Sequence, residues 1–297
     1  MSFHCYNNDM EVKRIVPSGY CKGVINAIKL AKDTRNKYPN EKIYVLGMIV
    51  HNSFVTEELS NLGIITLDDT NKTKEELLEQ IEQGIVIFTA HGIADSIKEK
   101  ALAKGLICVD ATCTDVLKTK ASIIDHLEQG YDVIYFGKRN HPEANAIICI
   151  SDKIHLVTNE NDLENLEINN DKLFLTNQTT MSYLELADLI ELAKDKYPHI
   201  VIEKEICNAT SSRQEAISNI KDCDLLYVVG DQKSNNTNKL VDIGKSAGIK
   251  KVLLIRSYKD IVRTDLENVN KVCVSAGAST PPSLIDEVIN YLTLESR

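Results

Sequence analysis

Three of the eight cysteines share a sequence context that could support metal chemistry. Cys21, Cys113 and Cys207 each follow a short strand-like or turn segment, and each precedes a helical pattern of apolar residues. They are separated by 92 and then 94 residues, and this spacing suggests a threefold repeat with one cysteine per repeat. Because the amides at a helix N-terminus stabilise an anionic thiolate, the pattern favours three thiolates that converge on one metal centre.

The ligand set distinguishes between two kinds of metal site. Zinc usually requires a fourth protein ligand and closely spaced cysteine pairs, and the sequence contains no CxxC pair. A 4Fe–4S cluster held by three cysteines leaves one iron without a protein ligand, free to act as a Lewis acid. Three core cysteines at coincidental intervals are the alternative. Of the other cysteines, we expect Cys108, Cys149 and Cys273 to lie in the core, Cys223 to precede a strand, and Cys5 to lie near the terminus.

Polar residues follow six apolar runs that have the composition of strands. The candidates for ligand binding at these ends are His51, His91, His141, Ser234, Asn236 and Ser279. A single histidine at a strand end would more often be a structural hydrogen-bonding residue. Three histidines in equivalent positions, together with hydroxyl and amide groups, indicate a cage of donors that suits a phosphate or diphosphate.

Two further side chains could transfer a proton or orient a hydroxyl group. Glu143 follows His141 in a His-Pro-Glu sequence, and a proton-donor role would require a raised pKa or a proton relay. The alternative is a solvated surface acid, as most glutamates are. Thr179 and Thr180 follow Gln178 at another strand end, and they could orient a substrate hydroxyl or simply end the strand.

The elements that must position these residues alternate between strand and helix patterns. This alternation predicts an α/β fold with parallel sheets, in which ligand sites lie beyond the carboxyl ends of the strands. The threefold repeat predicts three α/β units, residues 1–112, 113–206 and 207–297, whose polar loops and helix-start cysteines face one central cleft. Residues 282–294 are predicted to form a C-terminal helix, and residues 159–171 a solvated loop.

Composition excludes several classes of protein. The net charge of −9 argues against nucleic-acid binding, which needs a basic face. The longest apolar run, residues 43–50, is far shorter than the ~20 residues that span a bilayer, so no membrane association is expected. The N-terminus has no signal-peptide pattern, and we expect a cytoplasmic protein.

Taken together, the ordered motifs resemble a known enzyme family, the LytB-type 4-hydroxy-3-methylbut-2-enyl diphosphate reductases. The motifs are Gly19-Tyr20-Cys21-Lys22-Gly23-Val24, Val50-His51-Asn52, Ala90-His91-Gly92, Asp110-Ala111-Thr112-Cys113, His141-Pro142-Glu143, Asn177-Gln178-Thr179-Thr180, Ile206-Cys207-Asn208-Ala209-Thr210 with Arg213-Gln214, Ser234-Asn235-Asn236 and Ala276-Gly277-Ala278-Ser279-Thr280-Pro281. The resemblance runs from about Val12 to Leu294, and the number and order of the motifs make it highly specific.

The resemblance implies a reaction and a role for each candidate residue. It implies three pseudo-threefold-related α/β domains in a trefoil around a 4Fe–4S cluster, which is held by Cys21, Cys113 and Cys207, with the substrate hydroxyl binding the unique iron. Two electrons and two protons then release water and leave isopentenyl and dimethylallyl diphosphate, in the last step of the methylerythritol phosphate route to isoprenoids. The diphosphate would be held by His51, His91, His141, Ser234, Asn236 and Ser279. Glu143 would supply the proton, Thr179 would orient the hydroxyl and relay the proton, and Thr210 would lie near the cluster, with a ferredoxin or flavodoxin as electron donor.

Three positions depart from the family pattern, and two other functions remain as alternatives. Thr114 and Asp95 stand where proline is common, and Ala146 stands where glycine is common, which affects loop geometry rather than ligands. A quinolinate-synthase-like dehydratase would also use three cysteines around one cluster. A cluster-bearing redox sensor is the non-enzymatic alternative, although it would have little need for a cleft with three histidines and a positioned glutamate.

Overall fold

The computed structural model describes residues 10–295, and these residues form twelve strands and eleven α-helices. The strands are β1 (Glu11–Arg14), β2 (Ile43–Leu46), β3 (Ile64–Leu67), β4 (Ile85–Phe88), β5 (Ile107–Asp110), β6 (Asp132–Phe136), β7 (Ile154–Val157), β8 (Leu173–Asn177), β9 (Val201–Ile202), β10 (Leu225–Val229), β11 (Lys251–Ile255) and β12 (Lys271–Ala276). The helices are α1 (Lys22–Lys37), α2 (Ser53–Asn61), α3 (Lys74–Glu79), α4 (Asp95–Ala103), α5 (Thr114–Glu128), α6 (Pro142–Ile148), α7 (Glu160–Glu164), α8 (Tyr183–Lys196), α9 (Asn208–Ser218), α10 (Asn235–Ser246) and α11 (Pro282–Glu295).

The strands form three parallel sheets of four strands each, and all three sheets have the same strand order. The orders are β3-β2-β4-β5, β7-β6-β8-β9 and β11-β10-β12-β1. The strands of each sheet are numbered in the order of the repeat: β2-β3-β4-β5, β6-β7-β8-β9 and β10-β11-β12-β1. The first and third strands of each sheet are central, and the second and fourth lie at the edges. The N-terminal strand β1 supplies the fourth strand of the third sheet by pairing with β12. The α/β fold class with parallel sheets is therefore confirmed.

Apolar side chains cover both faces of the sheet that contains β6 and β8. In one cluster, Ile134, Phe136 and Leu175 pack against helices α7 and α8, which contribute Leu163 and Leu189. A second cluster, on the opposite face, is the following set: Ile123, Val133, Tyr135, Ala144, Ile147, Ile154 and Phe174. Burial on both faces explains why these strands read as continuous apolar runs rather than alternating patterns.

Some local predictions were wrong. The segment 159–171 is not entirely a loop, because Asn159 accepts a hydrogen bond from the Asp162 amide and caps the short helix α7. Cys149 is exposed at the end of α6 instead of lying in a core strand, whereas Cys273 is buried. The predicted C-terminal helix is present as α11. Cys5 lies outside the described residues.

The described chain divides into two compact units. One comprises residues 10–21, 51–53 and 208–295, and the other comprises residues 22–50 and 54–207. Except for β1, the strands of each sheet fall within one of the three predicted divisions, 1–112, 113–206 and 207–297, and these boundaries stay a prediction. Within residues 10–295, none of the helices combines the length and the apolar character needed to cross a bilayer.

Candidate active site

The three cysteines predicted to bind metal occupy equivalent positions in the repeat. Each follows the fourth strand of a sheet and directly precedes a helix: β1 and α1 for Cys21, β5 and α5 for Cys113, and β9 and α9 for Cys207. The sequence-based prediction of one cysteine at each of three helix starts therefore agrees with the structure.

Equivalent backbone hydrogen bonds hold the three cysteines. The amide of Cys21 donates to the carbonyl of Ala278 at 3.0 Å, and that of Cys113 donates to Ala90 at 3.0 Å. The amide of Cys207 donates to the carbonyl of Thr179 at 3.2 Å. Each acceptor belongs to the loop after the third strand of the same sheet, so every cysteine is tied to a loop that also carries a predicted substrate-binding residue.

The cysteine side chains are suited to binding a metal. All three are half-buried rather than enclosed in apolar core. Cys113 has the extended backbone of an N-cap residue, but its side chain does not cap the helix; its thiol lies 3.9 Å from an Asp115 carboxylate oxygen.

Predicted substrate-binding residues follow the two central strands of each sheet. In sheets with this strand order, the chain leaves one central strand toward one edge and leaves the other central strand toward the opposite edge. This creates a crevice at the carboxyl ends of the two central strands, and ligands bind in such a crevice in open α/β folds. The loops after β4 and β6 bring His91 and His141 together, with ring centroids 5.5 Å apart in an edge-to-face contact. Thr89 Oγ1 lies 3.4 Å from His91 Nδ1.

The loops after β10 and β12 form a second hydrogen-bonded group. Asn236 bridges two segments, because its Nδ2 donates to Thr210 Oγ1 at 3.2 Å and its Oδ1 accepts from the Ala278 amide at 3.1 Å. Ser279 Oγ donates to the carbonyl of His51 at 3.1 Å. Ser234 caps α10 by accepting a hydrogen bond from the amide of Thr237 at 3.2 Å.

Glu143 is buried beside Thr179, and the interpretation of Glu143 as a solvated surface acid is wrong. Its side chain is only 2% exposed. One carboxylate oxygen accepts a hydrogen bond from the Thr179 amide at 2.8 Å, and the other accepts one from the Thr179 hydroxyl at 3.0 Å. Burial raises the pKa of Glu143 to about 7, although the Thr179 hydrogen bonds favour the charged form and oppose this shift.

His141 is held in a defined orientation next to Glu143. His141 is the N-cap residue of α6, and its Nδ1 accepts a hydrogen bond from the Glu143 amide at 3.2 Å. Because Nδ1 is the acceptor, a neutral His141 carries its proton on Nε2. Its Nε2–H group is then a donor suited to an anionic oxygen.

The sequence did not indicate a role for Tyr135, which contacts this acid, or for Gln178, which precedes Thr179 in the chain. Tyr135 in β6 is fully buried, and its hydroxyl lies 3.4 Å from a Glu143 carboxylate oxygen. Gln178 accepts a hydrogen bond from the Lys138 amide at 2.9 Å and donates to Thr180 Oγ1 at 2.8 Å, which joins the loops after β8 and β6. A tyrosine within an apolar strand run was the available signal for Tyr135, but nothing in the sequence showed which face it occupies.

The three departures from the family pattern fit their local structure. Thr114 is the first residue of α5, where threonine is tolerated. Asp95 is the first residue of α4, where a negative charge is favourable, and it pairs with Lys120 at 2.6 Å. Ala146 lies inside α6, where alanine is a better helix former than glycine.

Thr179→Val is expected to raise the pKa of Glu143 above about 7, because it removes the hydroxyl that stabilises the carboxylate. The measurement is a ¹³C NMR titration of the Glu143 carboxyl carbon. Thr176→Val is the matched control, since Thr176 is buried on β8 and its hydroxyl has no hydrogen-bond partner within the described structure. An equal pKa in wild type and Thr179→Val would contradict the assigned hydrogen bond.

The stability of the protein should contain a pH-dependent contribution from Glu143. Its folded-state pKa of about 7 lies above the ordinary value of 4.5, so the native state binds this proton more tightly than the unfolded state. This contribution is favourable at low pH and decreases as the pH rises from about 4.5 to about 7. Denaturant unfolding across this pH range should show a smaller decrease for Glu143→Gln than for wild type, and parallel curves would contradict the shift.

Comparisons with known proteins agree with the fold and the motifs. Residues 12–293 match the family model described as LytB protein. A 4-hydroxy-3-methylbut-2-enyl diphosphate reductase from Geobacillus thermodenitrificans is 46% identical over 286 residues, which cover 95% of this chain and 90% of the relative. One from Bacillus subtilis has the same identity and coverage. The structure of the Plasmodium falciparum E-1-hydroxy-2-methyl-but-2-enyl-4-diphosphate reductase is similar with a TM-score of 0.89 and 34% identity, covering 96% of this chain and 88% of that one.

The fold and these matches place the protein in a class of α/β oxidoreductases that carry their polar loops at the carboxyl ends of three parallel sheets. More specifically, the chain belongs to the LytB family, whose matched relatives are reductases of 4-hydroxy-3-methylbut-2-enyl diphosphate.

Proposed function

We propose that this chain reduces 4-hydroxy-3-methylbut-2-enyl diphosphate to isopentenyl and dimethylallyl diphosphate. The near-full-length match of residues 12–293 to the LytB family carries this proposal. The reaction adds two electrons and two protons: one proton leaves with the hydroxyl group as water, and the other is added to the carbon skeleton. It is the last step of the methylerythritol phosphate route.

We assign the metal centre to Cys21, Cys113 and Cys207, which would hold one 4Fe–4S cluster. The assignment is supported by their equivalent positions after the fourth strands and before helices, and by their half-buried thiols. When bound, such a cluster supplies electrons and a Lewis-acidic iron site for the substrate hydroxyl. The amides at the helix starts would stabilise its negative charge.

Glu143 and Thr179 form the proposed proton route. With a pKa of about 7, the Glu143 carboxyl is substantially protonated near neutral pH and can donate a proton. The hydroxyl of Thr179 contacts that carboxyl and can pass the proton to a substrate hydroxyl, which then departs as water. Burial raises the pKa of Tyr135 well above its usual value, so its phenol stays protonated beside the acid.

Neutral hydrogen-bond donors would hold the diphosphate in this acidic protein. The proposed binding residues are His51, His91, His141, Ser234, Asn236 and Ser279. Ser234 and Asn236 lie at the N-terminus of the twelve-residue helix α10, where backbone amides and the helix dipole favour an anion. Neutral donors can satisfy diphosphate oxygens without a basic surface, which is consistent with the net charge of −9.

The electron donor and the compartment complete the proposal. A small ferredoxin or flavodoxin would deliver single electrons, and the protein would act in the cytoplasm.

Product identification tests the proposed reaction against the dehydratase and sensor alternatives. The cluster-reconstituted protein is incubated anaerobically with dithionite and 4-hydroxy-3-methylbut-2-enyl diphosphate, and the products are identified by mass spectrometry. We expect isopentenyl and dimethylallyl diphosphate. Unchanged substrate with a fully occupied cluster would refute the proposal. Formation of quinolinate from the substrates of that synthase would then support the dehydratase, and neither activity would favour the sensor.

A further inference from the structure

Arg213 is a buried arginine whose guanidinium binds two backbone carbonyl groups. It lies on α9, the helix that starts directly after Cys207, and is only 4% exposed. Its Nη1 donates to the carbonyl of Ala209 at 2.5 Å, and its Nη2 donates to the carbonyl of Gly19 at 2.6 Å. The second contact reaches a loop 194 residues away in sequence, two residues before Cys21.

The loop that carries Cys21 is held at several points. Gly19 has a φ of +82°, and a Cβ at this position would lie 2.9 Å from the Ile285 side chain and 3.3 Å from the Thr280 carbonyl. A larger residue would therefore be strained and crowded, so glycine lets the loop pass close to α11. On the other side of Tyr20, the Cys21 amide donates to Ala278 at 3.0 Å.

These contacts continue into the group that contains Asn236. The Ala278 amide donates to Asn236, and Asn236 in turn donates to Thr210 on α9. The helix α9 therefore contacts the Cys21 loop directly through Arg213 and indirectly through Thr210, Asn236 and Ala278. Hydrogen bonds from a charged donor are stronger than neutral ones, so Arg213 is the stronger of these two connections.

We propose that Arg213 is a positioning residue that holds the Cys21 loop in the conformation required for metal binding. It acts on the ligand through the Gly19 carbonyl rather than by contacting metal or substrate. The metal-binding part of this inference rests on the proposed function, whereas the effect on the loop does not. Groups that orient metal ligands typically change metal affinity by about 10- to 100-fold when they are removed.

Arg213→Met and Arg35→Met form a matched pair for testing this role. Arg35 also binds carbonyls through its guanidinium, those of Tyr38, Pro39, Glu41 and Gly63, at 2.8–3.2 Å. Glu41 and Gly63 precede β2 and β3, so Arg35 acts at the opposite end of those strands from the polar loops. Both substitutions remove hydrogen bonds from a guanidinium group to backbone carbonyls, so both should lower the stability of the protein. Only Arg213→Met should affect a loop that carries a metal-binding cysteine.

The first measurement uses protein without a cluster. Iodoacetamide alkylation of each cysteine is followed by mass spectrometry, and the rate for Cys21 is divided by the rate for Cys113 in the same molecule. We expect this ratio to rise by about tenfold in Arg213→Met and to stay unchanged in Arg35→Met. Arg213→Lys, which keeps a charged donor, should give an intermediate ratio and supplies the result if Arg213→Met does not fold.

The second measurement uses the reconstituted protein and distinguishes the effect of Arg213 on metal binding from its effect on the loop. Release of iron to a chelator should be about tenfold faster in Arg213→Met than in wild type or Arg35→Met. An unchanged alkylation ratio together with unchanged iron release would overturn the role of Arg213, even if the variant is less stable. A wild-type protein that binds no iron would refute the metal assignment instead, and the alkylation ratio would still decide whether Arg213 positions the loop.

Discussion

Glu143→Gln is expected to lower turnover by about 10²- to 10⁴-fold while leaving iron content and substrate affinity close to wild type. Glutamine has nearly the same shape: its oxygen can accept the hydrogen bond from the Thr179 amide, which lies 2.8 Å from one carboxylate oxygen. Its NH2 group would take the place of the other oxygen, 3.0 Å from the Thr179 hydroxyl, and would donate to that hydroxyl instead. It cannot donate an acidic proton. The measurement is anaerobic turnover at saturating substrate, with iron content determined on the same sample.

The pH profile and a control variant give this prediction its specificity. Wild-type turnover should decrease as the pH rises through about 7, because the Glu143 carboxyl loses the proton that it must donate. Glu99→Gln, at an exposed position on α4, should retain full activity with the same profile. Near-normal turnover of Glu143→Gln with an intact cluster would show that Glu143 has only a structural role.

Cys113→Ser is expected to lose most of its iron and the brown colour of the cluster when it is purified without oxygen. Serine is close in size to cysteine but is a poor ligand for iron–sulfur clusters, which are typically bound by thiolates. Cys149→Ser is the matched control, because Cys149 is exposed at the end of α6 and should not affect the cluster. A Cys113→Ser variant that retains a full cluster would remove Cys113 from the ligand set.

The sequence predicts the central strands of each sheet well because they are long apolar runs. It does not show the edge strands as clearly: β9 has only two residues, and β3 and β5 are partly exposed. The pairing of β1 with β12 joins residues about 260 positions apart in register, and no local pattern encodes it. The helix α7 was missed because its polar residues resemble a solvated loop.

The site was predictable in residue type but not in environment. The cysteine spacing and the polar loops identified the chemistry, since helix starts and strand ends can be inferred from local patterns. The burial of Glu143 could not be inferred, because it depends on Tyr135 in β6 and on Thr179 in the loop after β8. Arg213 belonged to a recognised motif, but its contact with Gly19 is a tertiary contact that only the structure shows.

The central claim is that the chain couples electron transfer to removal of the substrate hydroxyl. It is tested most directly by following oxidation of a reduced viologen dye by the cluster-reconstituted protein under anaerobic conditions, with 4-hydroxy-3-methylbut-2-enyl diphosphate added. The account predicts substrate-dependent oxidation that consumes two electrons per molecule of isoprenoid diphosphate formed and that is absent in Cys113→Ser. A wild-type protein that carries a full cluster but oxidises no dye on addition of this substrate would contradict the account.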